Sequence, residues 1–435
     1  MRKIKKIIKS ITPVFAIRLY HLALSYFGAL LYGFPGKKMV IIGVLGTRGK
    51  TTTSNLIWSI LTAGGYKTGL TGTANIRIGN EEKMNPYHMT MPGRFKMQKM
   101  LREMYDAGCK FTIVETPSEG VEQFRHRQIA YDILVFTNLY PEYLETHNWS
   151  FERCKEMHKK PFAELWGQKR KMFDGEKVPK AIVMNADLPE KNIFLNHKAD
   201  QKITFGVIQN ADFKAEKISA TPEGVSFSVN GKDYALHLLG LFNVPNALGA
   251  ISVSSVFRIP YEAVKKGILS CRVPGRMERI ENEKGISVFV DYAHDSVSLK
   301  AVLETANASK TKDSKVIVLT GGQGGGRDIK KRPEMGRIAG ELADYVVITN
   351  EDPYDENPMH IIEDIAKGCE LSGKKRGVDF FVVPERKDGI QKAISLAKRG
   401  DIILITGKGA EQSMETAKGQ IPWDDRKITR EILKN

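Results

Sequence analysis

One stretch, GVLGTRGKTTT at residues 43–53, limits what this chain can fold into more than any other. It follows the apolar run Met39-Val40-Ile41-Ile42 and leads into SNLIWSILTAGG, so a short buried strand turns through glycines directly into a helix that ends at a glycine pair. Such a turn aims free backbone amides and a helix N-terminus at one point, which suits a phosphate group. Gly46, Thr47, Arg48, Gly49, Lys50, Thr51 and Thr52 would then cradle a nucleotide, with the Lys50 ammonium on its terminal phosphates and the Thr51 hydroxyl on magnesium. The spacing is shorter than the usual G-x-x-x-x-G-K unless counting starts at Gly43 or Val44. The strand before the loop and the helix after it therefore carry the assignment.

The pattern around the loop is that of an α/β chain. KFTIVET, YDILVFTNL and KAIVMNAD read as further buried strands, and residues 200–240 (KITFGV, GVSFSVNGKDYALHL) as β-hairpin material. A second region begins near VPGRMERI. There ISVFVDYAH, KVIVLTGG, YVVITNEDP and DIILITGKG alternate with the helical stretches MGRIAGELA, IIEDIAKG and GIQKAISLAKRG. We expect a P-loop-type central ATPase domain with a mostly parallel sheet over residues 38–272, followed by a Rossmann-like C-terminal domain over 273–435.

Composition bears on partners. With 42% apolar and 27% charged residues among 435, the chain reads as globular; Cys109, Cys154, Cys271 and Cys369 stand far apart with no C-x-x-C pair, which fits a reduced, cytoplasmic protein. The formal charge of +16 admits a solvated basic surface, a polyanionic substrate or an anionic membrane. No RNA-binding aromatic signature or DNA-reading motif accompanies it, so nucleic acid is not an expected partner. Residues 1–37 form a separate unit: MRKIKKIIKS carries five Lys or Arg, and FAIRLYHLALSYFGALLYGF follows as an amphipathic helix. Arg18 and His21 interrupt one end and Gly33 and Pro35 close the other. Peripheral contact of residues 1–34 with the inner face of the plasma membrane is therefore expected over a span, and an ordinary packed helix is the alternative.

Several motifs in order resemble those of the Mur ligase family, ATP-dependent enzymes that add amino acids to cell-wall precursors. The loop matches GTxGKTT, VETPSEG resembles E-V-S-S-H, and FTNLYPEYLETH resembles TNL-x-x-D-H-L-x-x-H. GLFNVPNALGA is similar to G-x-F-N-x-x-N, and VDYAHDS to D-Y-A-H-x-P. GGRDIKKRPEMG, TNEDPYDENP, ITGKGAEQ and PWDDRKITREIL look most like the branch that adds the third residue of the peptide stem. The resemblance implies ATP and Mg2+ as cofactors and, as substrates, an acidic precursor such as UDP-N-acetylmuramyl-dipeptide together with an amino acid. It also implies the chemistry: ATP phosphorylates a carboxylate, and the amine displaces phosphate from the acyl phosphate.

Carried over residue by residue, the resemblance gives Glu115 to a second magnesium, and gives Asn243 and Asn246 to the adenine, with helix capping as their alternative role. Arg276, Asp291 and His294 match residues that close over the nucleotide, although His294 is equally readable as structural. Ser118, Asn138, Arg327, Asp352, Lys408 and Glu411 are the implied substrate contacts. Departures are informative. Glu119 stands where the family has histidine, and Glu142-Tyr143 where it has Asp-His. The slot of the carbamylated lysine falls on His158; Lys159 is the candidate, with Lys160 next to it and a plain basic helix face as the alternative. Glu351-Asp352-Pro353-Tyr354 replaces D-N-P-R, removing a bidentate cation and favouring lysine, ornithine or another amino acid over diaminopimelate. The loop at Gly46 leaves no room for the family's usual first domain, which grips the uridine nucleotide, and the basic amphipathic segment stands in its place. A folylpolyglutamate-synthase-like ligase and a catalytically silent membrane-associated ATP-binding scaffold are the alternative functions.

Overall fold

A computed structural model of the chain describes residues 13–141, 147–221, 223–327 and 329–434. The larger of two main sheets has eleven strands, in spatial order Lys232–Leu236, Gly224–Val229, Phe213–Thr221, Gln201–Gly206, Ala181–Asn185, Ile133–Phe136, Val40–Leu45, Phe111–Glu115, Thr68–Thr71, Asn75–Ile78 and Glu81–Met84. Pairing is parallel from Phe213–Thr221 through to Thr68–Thr71 and antiparallel at both ends. The middle strands read as unbroken apolar runs because both faces are covered. Val40, Ile42 and Val44 join one core with the helices Lys50–Ala63, Asn243–Val256 and Tyr261–Ser270, while Ile41 and Leu45 face the other with Arg94–Asp106 and Phe151–Leu165.

Residues 200–240 correct the sequence expectation in part. Gly224–Val229 and Lys232–Leu236 do form a hairpin, but Gln201–Gly206 pairs in parallel with Ala181–Asn185. The short helix Asn192–Leu195 makes the crossover that permits this, and apolar alternation within one strand carries no information on the direction of its neighbour.

The second sheet runs Glu278–Ile280, Ser287–Val290, Ile402–Ile405, Val316–Thr320, Tyr345–Ile348 and Phe380–Val382, parallel except for the first pair. Ser296–Ser309, Lys331–Leu342 and Pro358–Leu371 cover one face, and Arg386–Leu396 and Asp425–Lys434 the other. Loops leave the carboxyl ends of parallel strands in both sheets, where open α/β sheets place their ligands. Ahead of the first sheet, the helix Val14–Leu31 packs on Arg94–Asp106; among the described residues no helix is long and apolar enough to cross a membrane.

Candidate active site

The loop after Val40–Leu45 is held open by its glycines. Gly46 (φ 125°) and Gly49 (φ 76°) adopt conformations that L side chains rarely enter, and Gly49 caps the helix that Lys50 begins. A Cβ on Gly49 would lie 2.2 Å from Asn246 Oδ1, so the glycine is also a seat for that asparagine. The Lys50 ammonium donates to Gly46 O at 2.7 Å and Thr47 O at 2.9 Å, which curls it over the loop. Asn138 braces the outer side: its Oδ1 accepts from Arg48 N at 2.8 Å and its Nδ2 donates to Arg48 O at 3.2 Å.

Glu115 ends its strand beneath this loop. Its carboxylate accepts from Thr51 Oγ1 at 3.1 Å, Thr73 N at 3.1 Å and Thr73 Oγ1 at 2.9 Å. Full burial holds its carboxyl above the usual carboxylate range, against the pull of Lys50 and the Thr73 hydrogen bond. A buried carboxylate meeting a threonine hydroxyl at the rim of a cleft is an oxygen donor set suited to a hard divalent cation.

The cleft, about 610 Å³, opens between the two sheets. It is lined by Gly46 to Thr52, Ser118, Asn138, Asn243, Asn246, Arg276, Asp291, His294, Arg327 and Glu411, so the structure brings most of the expected residues to one place. Asn246 Nδ2 donates to Asn243 Oδ1 at 3.0 Å, and Asn243 Nδ2 to Leu239 O at 2.7 Å, which fixes both amides. Arg276 lies over the Tyr292 ring at 4.4 Å and reaches Thr51 Oγ1 at 3.4 Å. Asp291 accepts from Met277 N at 2.7 Å and Ala293 N at 2.8 Å; burial raises its carboxyl, partly offset by Arg276. His294 is neutral: burial, then the Lys331 ammonium, push its imidazole down to about 4. Across the cleft Arg48 pairs with Asp295 at 2.6 Å, tying the phosphate loop to the second sheet.

Ser118 shares a 2.8 Å hydrogen bond with His147 Nε2. At the far end Asp352 and Lys408 are buried just behind the cleft wall. Lys408 Nζ donates to both Asp352 oxygens at 2.8 Å and pairs with Glu411 at 2.5 Å. Burial works against that ammonium, yet Glu411 and Asp352 hold it above its ordinary range. His88, which the sequence did not single out, reaches across from the first sheet, 3.5 Å from Asp352 and 3.4 Å from Glu411. Arg327 lines the cleft beside Tyr354 and hydrogen-bonds it.

Lys159 is not brought to the cleft. Its ammonium pairs with Glu156 at 2.8 Å, whereas His158 lines the cleft, buried edge-on to Phe136 and neutral, with burial and then Lys50 driving its imidazole to about 3. Successive helical residues point about 100° apart, so the two cannot share a face. Lys160 contacts Met157 Sδ instead, Glu119 lies in the cleft wall, and Glu142 and Tyr143 fall outside the described residues.

The chain matches the Mur ligase middle domain over residues 44–254 and the Mur ligase glutamate ligase domain over residues 275–409. It is 36% identical over 437 aligned residues to UDP-N-acetylmuramyl-tripeptide synthetase of Roseiflexus sp. (strain RS-1), covering 97% of this chain and 84% of that protein. It is 34% identical to UDP-N-acetylmuramoyl-L-alanyl-D-glutamate–2,6-diaminopimelate ligase of Halalkalibacterium halodurans, with the same coverage of 97% and 84%. A solved structure of a ligase of that second name superposes with a TM-score of 0.61 at 27% identity, covering 92% of this chain and 79% of the other. With the loop, the buried glutamate and the facing sheet in the arrangement described, the chain belongs to the Mur ligase family.

Proposed function

We propose that this is an ATP-dependent carbon–nitrogen ligase that joins an amino acid to an acidic peptidoglycan precursor, UDP-N-acetylmuramyl-dipeptide or a related donor, through an acyl phosphate. The observation that carries this is the meeting of the Lys50–Thr51–Glu115 group with Arg276 and Asp295 of the second sheet across one cleft. In this reading the working units are residues 1–37, 38–272 and 273–435. Lys50 and Arg276 spread the charge that develops on the transferred phosphoryl group, and the loop amides hold the remaining phosphates. Thr51 and Glu115 would hold Mg2+, which would screen the phosphate oxygens. Asn243 and Asn246 flank the adenine, and Asp291, whose oxygens are fixed by two backbone amides, faces the ribose.

Asp352, Lys408 and Glu411 form the acceptor end. Lysine or ornithine is the favoured acceptor, since Tyr354 offers no cation to a second carboxylate. Diaminopimelate is the competing one, because Arg327 hydrogen-bonds Tyr354 at the same wall. Ser118 and Asn138 would contact the donor. The ligase works in the cytoplasm, with its N-terminal segment on the inner face of the plasma membrane.

The test is magnesium-dependent phosphate release from ATP with UDP-N-acetylmuramyl-dipeptide and each amino acid in turn, using Lys50→Ala as control. Release with one amino acid, plus a product heavier by that residue, is expected. Glutamate-dependent release with a folate would move the protein to the folylpolyglutamate class, and tight ATP binding without release under any donor would make it a scaffold.

A further inference from the structure

The helix Val14–Leu31 is inverted relative to an ordinary surface helix, which turns its apolar stripe inward. Its side against the protein is small at the centre: Ser25, Gly28 and Ala29 are buried, with Ile17, His21 and Leu24 half-buried beside them, and a Cβ on Gly28 would sit 3.4 Å from Phe95 Cα. Most of its large apolar side chains point out. Phe15 is 73% exposed, Leu19 64%, Tyr20 61%, Phe27 56%, Leu30 53% and Leu31 69%. At about 100° per residue these six sweep roughly 160° of the circumference, a continuous apolar face rather than scattered surface residues.

The charge that flanks this helix in sequence has one sign, while the helix beneath it, Arg94–Asp106, carries both signs, with Glu103 and Asp106 paired to Lys99 and Arg102. Residues 1–80 contain no Asp or Glu; Arg2, Lys3, Lys5, Lys6 and Lys9 precede the helix in sequence, and Lys37 and Lys38, both exposed, follow it. A second copy docking here would bring the same positive ends and nothing acidic from those eighty residues to meet them. A leaflet with anionic headgroups complements both the charge and the apolar face, and the 18-residue helix is not long and apolar enough to cross it.

We propose that this face docks on an anionic phospholipid surface, with the helix in the headgroup plane, the aromatic and leucine side chains among the upper acyl carbons, and the flanking lysines on lipid phosphates. The inference deepens the membrane location given above and is independent of the chemistry in the cleft.

The full-length protein should float with phosphatidylcholine–phosphatidylglycerol vesicles, bind phosphatidylcholine vesicles far less, and bind more weakly as salt rises. A Leu19→Glu, Phe27→Glu, Leu30→Glu triple variant should lose at least about tenfold in partitioning, with circular dichroism and ATP binding unchanged. Absence of binding to the anionic vesicles, or equal binding by the variant, overturns the proposal. So does a concentration-dependent dimer of the parent, seen by sedimentation and abolished in the variant, since a second copy would then cover the face. Phosphate release measured on the same samples separates the two readings: a ligase that does not bind vesicles sinks this inference alone, and a vesicle-bound protein with no ligase activity sinks only the function.

Discussion

Replacing Glu351 with glutamine should remove a pH dependence of stability from the second domain. Glu351 follows the strand Tyr345–Ile348, is fully buried, and among the described residues neither of its carboxyl oxygens has a hydrogen-bond partner. Its surroundings are close: a Cβ on Gly407 would lie 2.5 Å from Glu351 Oε2, and one on Gly321 3.0 Å from its Cβ. Burial raises the carboxyl from 4.5 to about 7; Arg386 opposes this, Asp352 adds to it, and Lys408 and Lys331 oppose it further. Since the folded value lies above the unfolded one, the folded state holds the extra proton between the two, and stability falls as pH rises through that window. The gap of about 2.5 pH units, at ~1.36 kcal/mol each, amounts to roughly 3 kcal/mol, of which about 2 kcal/mol is lost between about pH 5.5 and about pH 8.5. Urea titrations at those two values should show the parent losing about 2 kcal/mol more than Glu351→Gln. Comparing the change with pH cancels any difference in packing between Glu and Gln. Equal changes in the two proteins would refute the reasoning and mean that Arg386 and Lys408 keep Glu351 ionised throughout.

Gly49→Ala forces a side chain onto a residue at φ 76° and to within 2.2 Å of Asn246 Oδ1, so about 1–3 kcal/mol of strain is expected, with ATP affinity by calorimetry down at least about tenfold. Asp295→Asn keeps an acceptor for Ser298 N, which Asp295 now caps at 2.9 Å, but removes the charge facing Arg48 at 2.6 Å. Circular dichroism should be unchanged while kcat/KM for ATP falls by roughly tenfold, as for a lost charge-assisted bond of about 1.5 kcal/mol. For Glu115, burial holds the carboxyl above its ordinary range, so the metal-free protein loses stability as pH rises from that range up to the raised value, and magnesium restores it. The magnesium needed for half-maximal phosphate release should therefore fall in the parent as pH rises and the raised carboxyl ionises, and stay high and flat in Glu115→Gln.

What the sequence could show follows from how local each signal is. The apolar runs at Val40–Leu45, Phe111–Glu115 and Ile402–Ile405 are buried on both faces, and the chemistry sits at the ends of those runs, where Lys50, Glu115 and Lys408 were readable without any knowledge of contacts. Pairings such as Arg48 with Asp295, 247 residues apart, or His88 with Asp352 leave no local trace, because they depend on how two sheets face each other. The choice between His158 and Lys159 is a different case, since its signal was present. Cys154, Met157, Pro161, Phe162 and Leu165 recur at helical spacing and are buried, and that stripe carries His158 inward and turns Lys159 away from the cleft toward Glu156. The helix Val14–Leu31 marks where such reasoning stops. Its periodicity defines two faces, but an apolar face looks the same in sequence whether it is packed on a core or presented to a bilayer. Here Ser25 and Gly28 decide only which side packs inward, because the small side allows the helix to approach Phe95 so closely.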